Sequence, residues 1–145
     1  MQTQQDPRIL ALLTLSDLSS FEYDEVTESH HTENCYELGS QEWLVLADWE
    51  ADALAAECIK ETLWAFNPSF LQEYMVLDEE MIGDLTRSCE DSNAAMVALV
   101  GDRLQELIAD AIALDGRGHF TSFYDGEEYE VQTDSGEDFL AYRVN

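Results

Sequence analysis

Between Ser92 and Leu114 the apolar residues Met96, Leu99, Val100, Leu104, Leu107, Ile108, Ala111 and Ile112 recur at steps of three and four. That is the period of one helix face, so the segment predicts the longest helix of the chain, stopped at Asp115-Gly116 by a glycine after the last turn. A looser version of the same spacing, through Trp49, Leu54, Ile59, Leu63 and Phe66, predicts a helix capped by Asp48 and ended by Asn67-Pro68. A short amphipathic helix is expected from Pro7 to Leu18, with Asp6 as its cap and Pro7 at the first helical position, and another helix from Asp78 onward.

The period changes elsewhere. Glu42-Trp43-Leu44-Val45-Leu46 reads as a short strand, and His119 to Val144 alternates as strands do, with Asp125-Gly126 and Asp134-Ser135-Gly136 as turns. This predicts a C-terminal three-stranded antiparallel meander. Residues 19–39 have neither period and are expected to form an acidic loop, mobile in part, holding Phe21, Tyr23 and Tyr36. Helices and strands are segregated instead of alternating as βαβ units, so the expected class is α+β: helices packed on a small antiparallel sheet. With 145 residues, 46% of them hydrophobic, residues 1–145 suit one domain with its own core.

Charge changes this ordinary picture. The chain carries 32 Asp and Glu against 6 Lys and Arg, a net charge of −26, and has no Lys or Arg between Arg8 and Lys60. Its apolar content is too high for a disordered acidic tail, and the acids fall on every predicted element, so the acidity belongs to the folded surface. On the predicted long helix Asp102, Glu106 and Asp110 stand at i, i+4 and i+8, about 6 Å apart along the axis. Like charges so placed cost roughly 0.2–0.5 kcal/mol per pair, which interleaved lysines would normally recover. Such a surface repels nucleic acid and anionic lipid, leaving basic protein surfaces and cations as its complements. Spread at the density of duplex DNA, 26 charges span about 45 Å, or about 13 base pairs.

Candidate chemistry is sparse. Cys35, Cys58 and Cys89 are widely spaced and odd in number, as in a protein of a reducing cytoplasm. The apolar stretch Ile9 to Leu15 is too short to span a bilayer, and no basic segment precedes it as in a signal peptide. His30, His31 and Cys35 form a loose metal-ligand spacing, while Asp78-Glu79-Glu80 and Asp134 to Asp138 are acidic without the ordered spacing of a calcium loop, so no metal or other cofactor is expected. Asp115-Gly116-Arg117-Gly118-His119 gathers an acid, a base and a histidine, yet no nucleophile motif accompanies it. Leu63 to Leu71 is rich in aromatics and reads as core before it reads as an exposed anchor.

WLVLADWEADALAAECIKE from Trp43, LWAFNPSFL from Leu63 and DGRGHFTSFYDGEEYE from Asp115 resemble segments of a family of small acidic proteins of phages, plasmids and bacterial genomes, over residues 40–145. The resemblance implies a mobile-element setting and, at the level of class, similarity to acidic anti-restriction and anti-CRISPR inhibitors. The resulting expectation is a non-enzymatic DNA-mimic inhibitor in the cytoplasm of a host cell. Its contacts would come from Glu22, Asp24, Glu25, Glu28, Glu33, Asp102, Glu106 and Asp110, and its partner would be the basic surface of a nucleic-acid-binding complex. The rival expectations are a generic acidic domain or assembly subunit of a mobile element or halophile, and an enzyme centred on His119 and Arg117.

Overall fold

The computed structural model describes residues 5–17, 20–29 and 32–145. Its elements, in order, are α1 (Pro7–Leu15), β1 (Val26–Glu28), β2 (Cys35–Leu38), β3 (Gln41–Leu46), α2 (Asp48–Glu61), α3 (Pro68–Leu71), α4 (Glu79–Ser88), α5 (Ser92–Val100), α6 (Leu104–Asp115), α7 (Arg117–Thr121), β4 (Tyr129–Gln132) and β5 (Asp138–Arg143). The class is α+β, with one five-stranded antiparallel sheet in the order β1-β2-β3-β5-β4. The chain's contacts gather in two compact units, residues 1–54 with 117–145 and residues 55–116.

In the first unit the sheet is covered because its central strands alternate. Trp43 and Val45 of β3, with Val131, Phe139 and Ala141 beside them, meet Ile9, Leu12 and Leu13 of α1 on one face. Leu44, Leu46, Leu140 and Tyr142 point to the other face, where Ala51 of α2 packs. Helix α1 begins as expected: Asp6 accepts a hydrogen bond from the Arg8 backbone N–H and Pro7 occupies the first turn. Helix α2 is opened differently, since Asp48 is its first residue and Glu50 reaches back to accept from the Ala47 N–H at 2.8 Å, half of a capping box. Its inward residues are Ala51, Ala55 and Ile59, whereas Trp49 stands 71% exposed.

Two expectations are corrected in this unit. Residues 20–29 and 32–39 are no open loop: a 3₁₀ turn, Ser20–Glu25, leads into β1, which pairs with β2 from Val26↔Leu38 to Glu28↔Tyr36. Buried Val26 and Tyr36 anchor this hairpin, and both the Tyr23 hydroxyl, accepting from the Asp6 N–H, and the Tyr36 hydroxyl, donating to the Asp6 carboxylate, tie it to the start of α1. The C-terminal meander has two strands, not three, because residues 117–121 are helical. The Thr121 hydroxyl donates to the Arg117 carbonyl, and the Ser122 N–H donates to the Gly118 carbonyl, closing that helix on itself. Sheet continuity comes instead from β3, which pairs with β5 from Trp43↔Arg143 to Leu46↔Leu140.

The second unit is helical. Ile59, Leu63, Leu71, Ile82, Met96 and Leu107 are fully buried there. The expected long helix is broken in two at Gly101, whose φ of +56° falls where only glycine sits without strain, and a 3₁₀ turn, Gly101–Arg103, separates α5 from α6. Asn67-Pro68 opens α3, with Asn67 as its cap, and Asp78 caps α4 by accepting from the Met81 N–H at 2.9 Å. Asn93 ties α5 to the end of α2 by donating to the Lys60 carbonyl and accepting from the Trp64 N–H.

Gly118 permits a close approach of backbones in the first unit: a Cβ there would lie 2.6 Å from the Gly126 carbonyl oxygen and 2.9 Å from the Glu127 carbonyl carbon. Both are backbone atoms, so Gly118→Ala is expected to lower unfolding stability by about 1–3 kcal/mol in urea titrations. Gly83→Ala, placed on a helix at ordinary contact distance from the Arg87 side chain, is the control and is expected to lose nothing.

Candidate functional site

The structure directs its few arginines at its own atoms. Arg8 on α1 contacts Glu50 at 2.8 Å, donates to the Val45 carbonyl at 2.7 Å, and lies over the Phe139 ring. Asn34 donates to the other oxygen of Glu50 at 3.1 Å. Burial alone would raise the Glu50 carboxyl, but the Arg8, Ala47 and Asn34 hydrogen bonds outweigh it and hold the group below the usual glutamate range.

Arg117 is the hub of the first unit. Its Nε meets Glu128 at 2.7 Å, and its Nη1 meets Asp52 at 2.8 Å and Asp48 at 3.0 Å. The Tyr142 hydroxyl donates to the same Glu128 oxygen that Arg117 holds. The Glu128 hydrogen bond, then those of Asp52 and Asp48, stabilise the guanidinium cation well beyond its ordinary range. Burial pushes Glu128 up, and the Arg117 and Tyr142 hydrogen bonds pull it further down. Asp48 and Asp52 on α2, Arg117 on α7, Glu128 before β4 and Tyr142 on β5 are thus joined by one side chain that is 14% exposed.

In the second unit Arg103 takes Glu106 at 3.1 Å, donates to the Glu73 carbonyl, and covers the Tyr74 ring. Tyr74, nearly buried, donates to Asp110, and burial followed by that carboxylate pushes the phenol up to about 12. Arg87 pairs with Asp84 one turn away on α4. Arg143 lies over the Tyr124 ring, 3.8 Å from its centroid, and donates to the Asn145 carbonyl. Lys60 stands exposed in the last turn of α2, where its charge complements the helix dipole.

The expected contact residues separate into two groups. Glu22, Asp24 and Glu25 sit on the 3₁₀ turn, Glu28 ends β1 at the sheet edge, and Glu33 lies in the turn before β2; all but the half-buried Glu22 are exposed. Asp102, Glu106 and Asp110 belong to the second unit, where Asp102 is exposed in the 3₁₀ turn while Glu106 and Asp110 serve Arg103 and Tyr74. All three are exposed, and two of them, Glu106 and Asp110, also have a partner within the unit.

One acidic pair escaped the sequence reading. Glu37 and Glu42 are direct cross-strand partners on β2 and β3, a like-charge pair of the kind that costs a sheet roughly 0.2–1 kcal/mol. Only the register exposes it, because the intervening turn alone does not say which residues face each other. The other acidic runs have local uses. Glu79 and Glu80 fill the first turn of α4 behind the Asp78 cap, and the turn at 133–137 is closed by the Thr133 hydroxyl, which accepts from the Glu137 N–H. Among the described residues no group of three His, Cys, Asp or Glu is placed to hold a metal, and His30 and His31 lie outside them. The three cysteines are free, and burial pushes the Cys35 and Cys58 thiols up, away from the reactive thiolate. His119 is exposed, its ring edge-on to Phe120, two residues from an Arg117 already engaged by three carboxylates. No helix among the described residues is long and apolar enough to cross a membrane. Comparison with protein-family models, curated proteins and solved structures finds no match to this chain.

The carboxylates held by Arg117 and Arg8 make stability depend on pH. Glu128 and Glu50 are depressed in the folded state, so the stability they supply is complete above the ordinary carboxylate range and is lost as pH falls through their lowered values. Unfolding stability is therefore expected to stay level from pH 7 to about 5 and to drop below about 4. Arg117→Met is expected to cost roughly 3 kcal/mol at pH 7, because it leaves Glu128 half-buried without its cation, and to shrink the acid-side drop. Added sodium chloride is expected to raise the melting temperature of the unaltered chain; a fall would mean that its ion pairs outweigh its self-repulsion.

Proposed function

We propose that this chain is a binding protein whose acidic surface occupies the basic, nucleic-acid-binding surface of another protein, as a DNA-mimic inhibitor does. The observation that carries the reading is the disposal of the arginines: four form ion pairs with six carboxylates of the chain itself, and the fifth lies on a tyrosine ring. The charge that faces outward without an internal partner is then almost wholly negative. A surface selected only for solubility intersperses both signs and has no need to set Glu37 against Glu42. The engagement of Arg117 and the high thiol values of Cys35 and Cys58 favour binding over catalysis.

The exposed acids of the 3₁₀ turn and hairpin, Asp24, Glu25, Glu28 and Glu33, together with Asp102, are the contacts we assign to this role. Glu106 and Asp110 are assigned to stability. A restriction or CRISPR complex presents the required lysine- and arginine-lined groove, and the resemblance to mobile-element proteins makes a host defence complex the proposed target. Association would be fast through electrostatic steering and would weaken steeply with salt.

The test is capture of partners from a bacterial lysate at low and high salt, followed by competition between the chain and labelled duplex DNA for each captured protein. Displacement of DNA is expected, and the variant D24N/E25Q/E28Q/E33Q/D102N, folded as judged by its melting temperature, is expected to lose at least about tenfold in potency. Undiminished potency in that variant would overturn the reading.

A further inference from the structure

Charge alone gives speed and salt sensitivity, whereas the affinity of a protein interface concentrates in a few aromatic and arginine anchors. Phe123 is 76% exposed and Tyr124 56% exposed, side by side in the loop after α7, and Phe123 adds little to the core. The loop that carries them is fixed. The Ser122 hydroxyl donates to the Arg143 carbonyl at 2.7 Å and lies 2.9 Å from the Asp125 carboxylate. The same carboxylate accepts from the Glu127 N–H at 3.0 Å and from the Tyr129 hydroxyl at 2.9 Å. Tyr124 is held from above by the Arg143 guanidinium and through its N–H by the Arg143 carbonyl. A segment so stitched loses little conformational freedom on binding.

Beside the aromatic pair lies an open groove of about 430 Å³ with Trp43 and Tyr129 among its walls, their rings edge to face at 5.7 Å, and Leu15, Gln41, Asp125 and Arg143 around them. Tyr124 covers Arg143 and precedes Asp125, both in the wall of that groove, so the aromatic knob adjoins an aromatic-walled hole. Asp125 and Glu127 follow the knob directly, and the one base at hand, Arg143, is covered by Tyr124. Net charge of −26 opposes a second copy of the chain as the occupant and equally opposes an anionic bilayer.

We propose that Phe123 and Tyr124, with the adjoining Trp43–Tyr129 groove, form the anchor of a docking surface for a basic protein face that carries apolar side chains among its lysines and arginines. This rests on the acidic-binder reading and adds to it where affinity, as opposed to attraction, resides.

The test uses the full chain and two defined probes, an amphipathic helical peptide of lysine and leucine and a poly-lysine of equal charge, titrated calorimetrically at one low salt concentration. The unaltered chain is expected to bind the lysine–leucine peptide at least about tenfold more tightly than poly-lysine, and Phe123→Ser to abolish that difference while leaving poly-lysine binding and the melting temperature unchanged. Trp64→Ser, at a half-exposed tryptophan in the second unit, is expected to change neither affinity. Equal binding of the lysine–leucine peptide by the Phe123→Ser and unaltered chains would overturn the proposal. So would Phe123-dependent binding to phosphatidylcholine vesicles, which would make the loop a lipid anchor, or Phe123-dependent self-association in sedimentation. Failure of both peptides to bind would defeat the acidic-binder reading and the anchor with it, an outcome distinct from loss of the Phe123 contribution alone.

Discussion

Everything in this molecule is arranged around the mutual repulsion of its carboxylates. With 32 acids and 6 bases, no pattern of surface pairing can neutralise the fold, so each arginine must be placed where it does most. Arg117 illustrates the solution: one guanidinium, little exposed, joins the start of α2 to the segment that leads into β4, and through the shared Glu128 it reaches Tyr142 near the end of β5. A planar five-donor cation is suited to several carboxylates at once, which a lysine is not, and the chain holds five arginines against the single Lys60. Arg8 does similar work where it links α1, the β3 backbone and the first turn of α2.

The apolar framework makes this arrangement tolerable. Strand β3 is buried on both faces, Trp43 and Val45 against α1 and Leu44 and Leu46 against α2, and hydrophobic burial of that kind supplies the stability that electrostatics withdraws. Acids then stay at positions where an ordinary protein would alternate sign, at the sheet edge around Glu28 and across β2 and β3 at Glu37 and Glu42. A protein that keeps such repulsion in its folded state gains an outward field, which the proposed binding role toward a basic surface would use.

Local signals were legible in the sequence and distant ones were not. Asp6-Pro7, the Asp78 cap and the apolar run of residues 43–46 each depend on neighbours within a few positions, and each element stands where those residues place it. The apolar stripe from Met96 to Ile112 continues through Gly101, so periodicity alone joins α5 to α6, although the glycine turns the chain between them. Residues 119–124 alternate like a strand but are governed by Gly118, packed on the Gly126 and Glu127 backbone, and by the Ser122 and Asp125 hydrogen bonds. For the acids, the sequence gives number and spacing but not employment: Glu106 and Asp110 look like free charges until Arg103 and Tyr74 are found beside them. The partners of Arg117 on α2 lie 65 and 69 positions away, beyond the reach of any local pattern.

The most direct measurement of the central claim is the salt dependence of the chain's affinity for a captured nucleic-acid-binding protein, set against the salt dependence of that protein's affinity for duplex DNA. If the acidic surface stands in for a phosphate backbone, both affinities fall steeply with salt and DNA and the chain exclude each other. An affinity that is flat in salt, or simultaneous binding of DNA and the chain, would contradict the account.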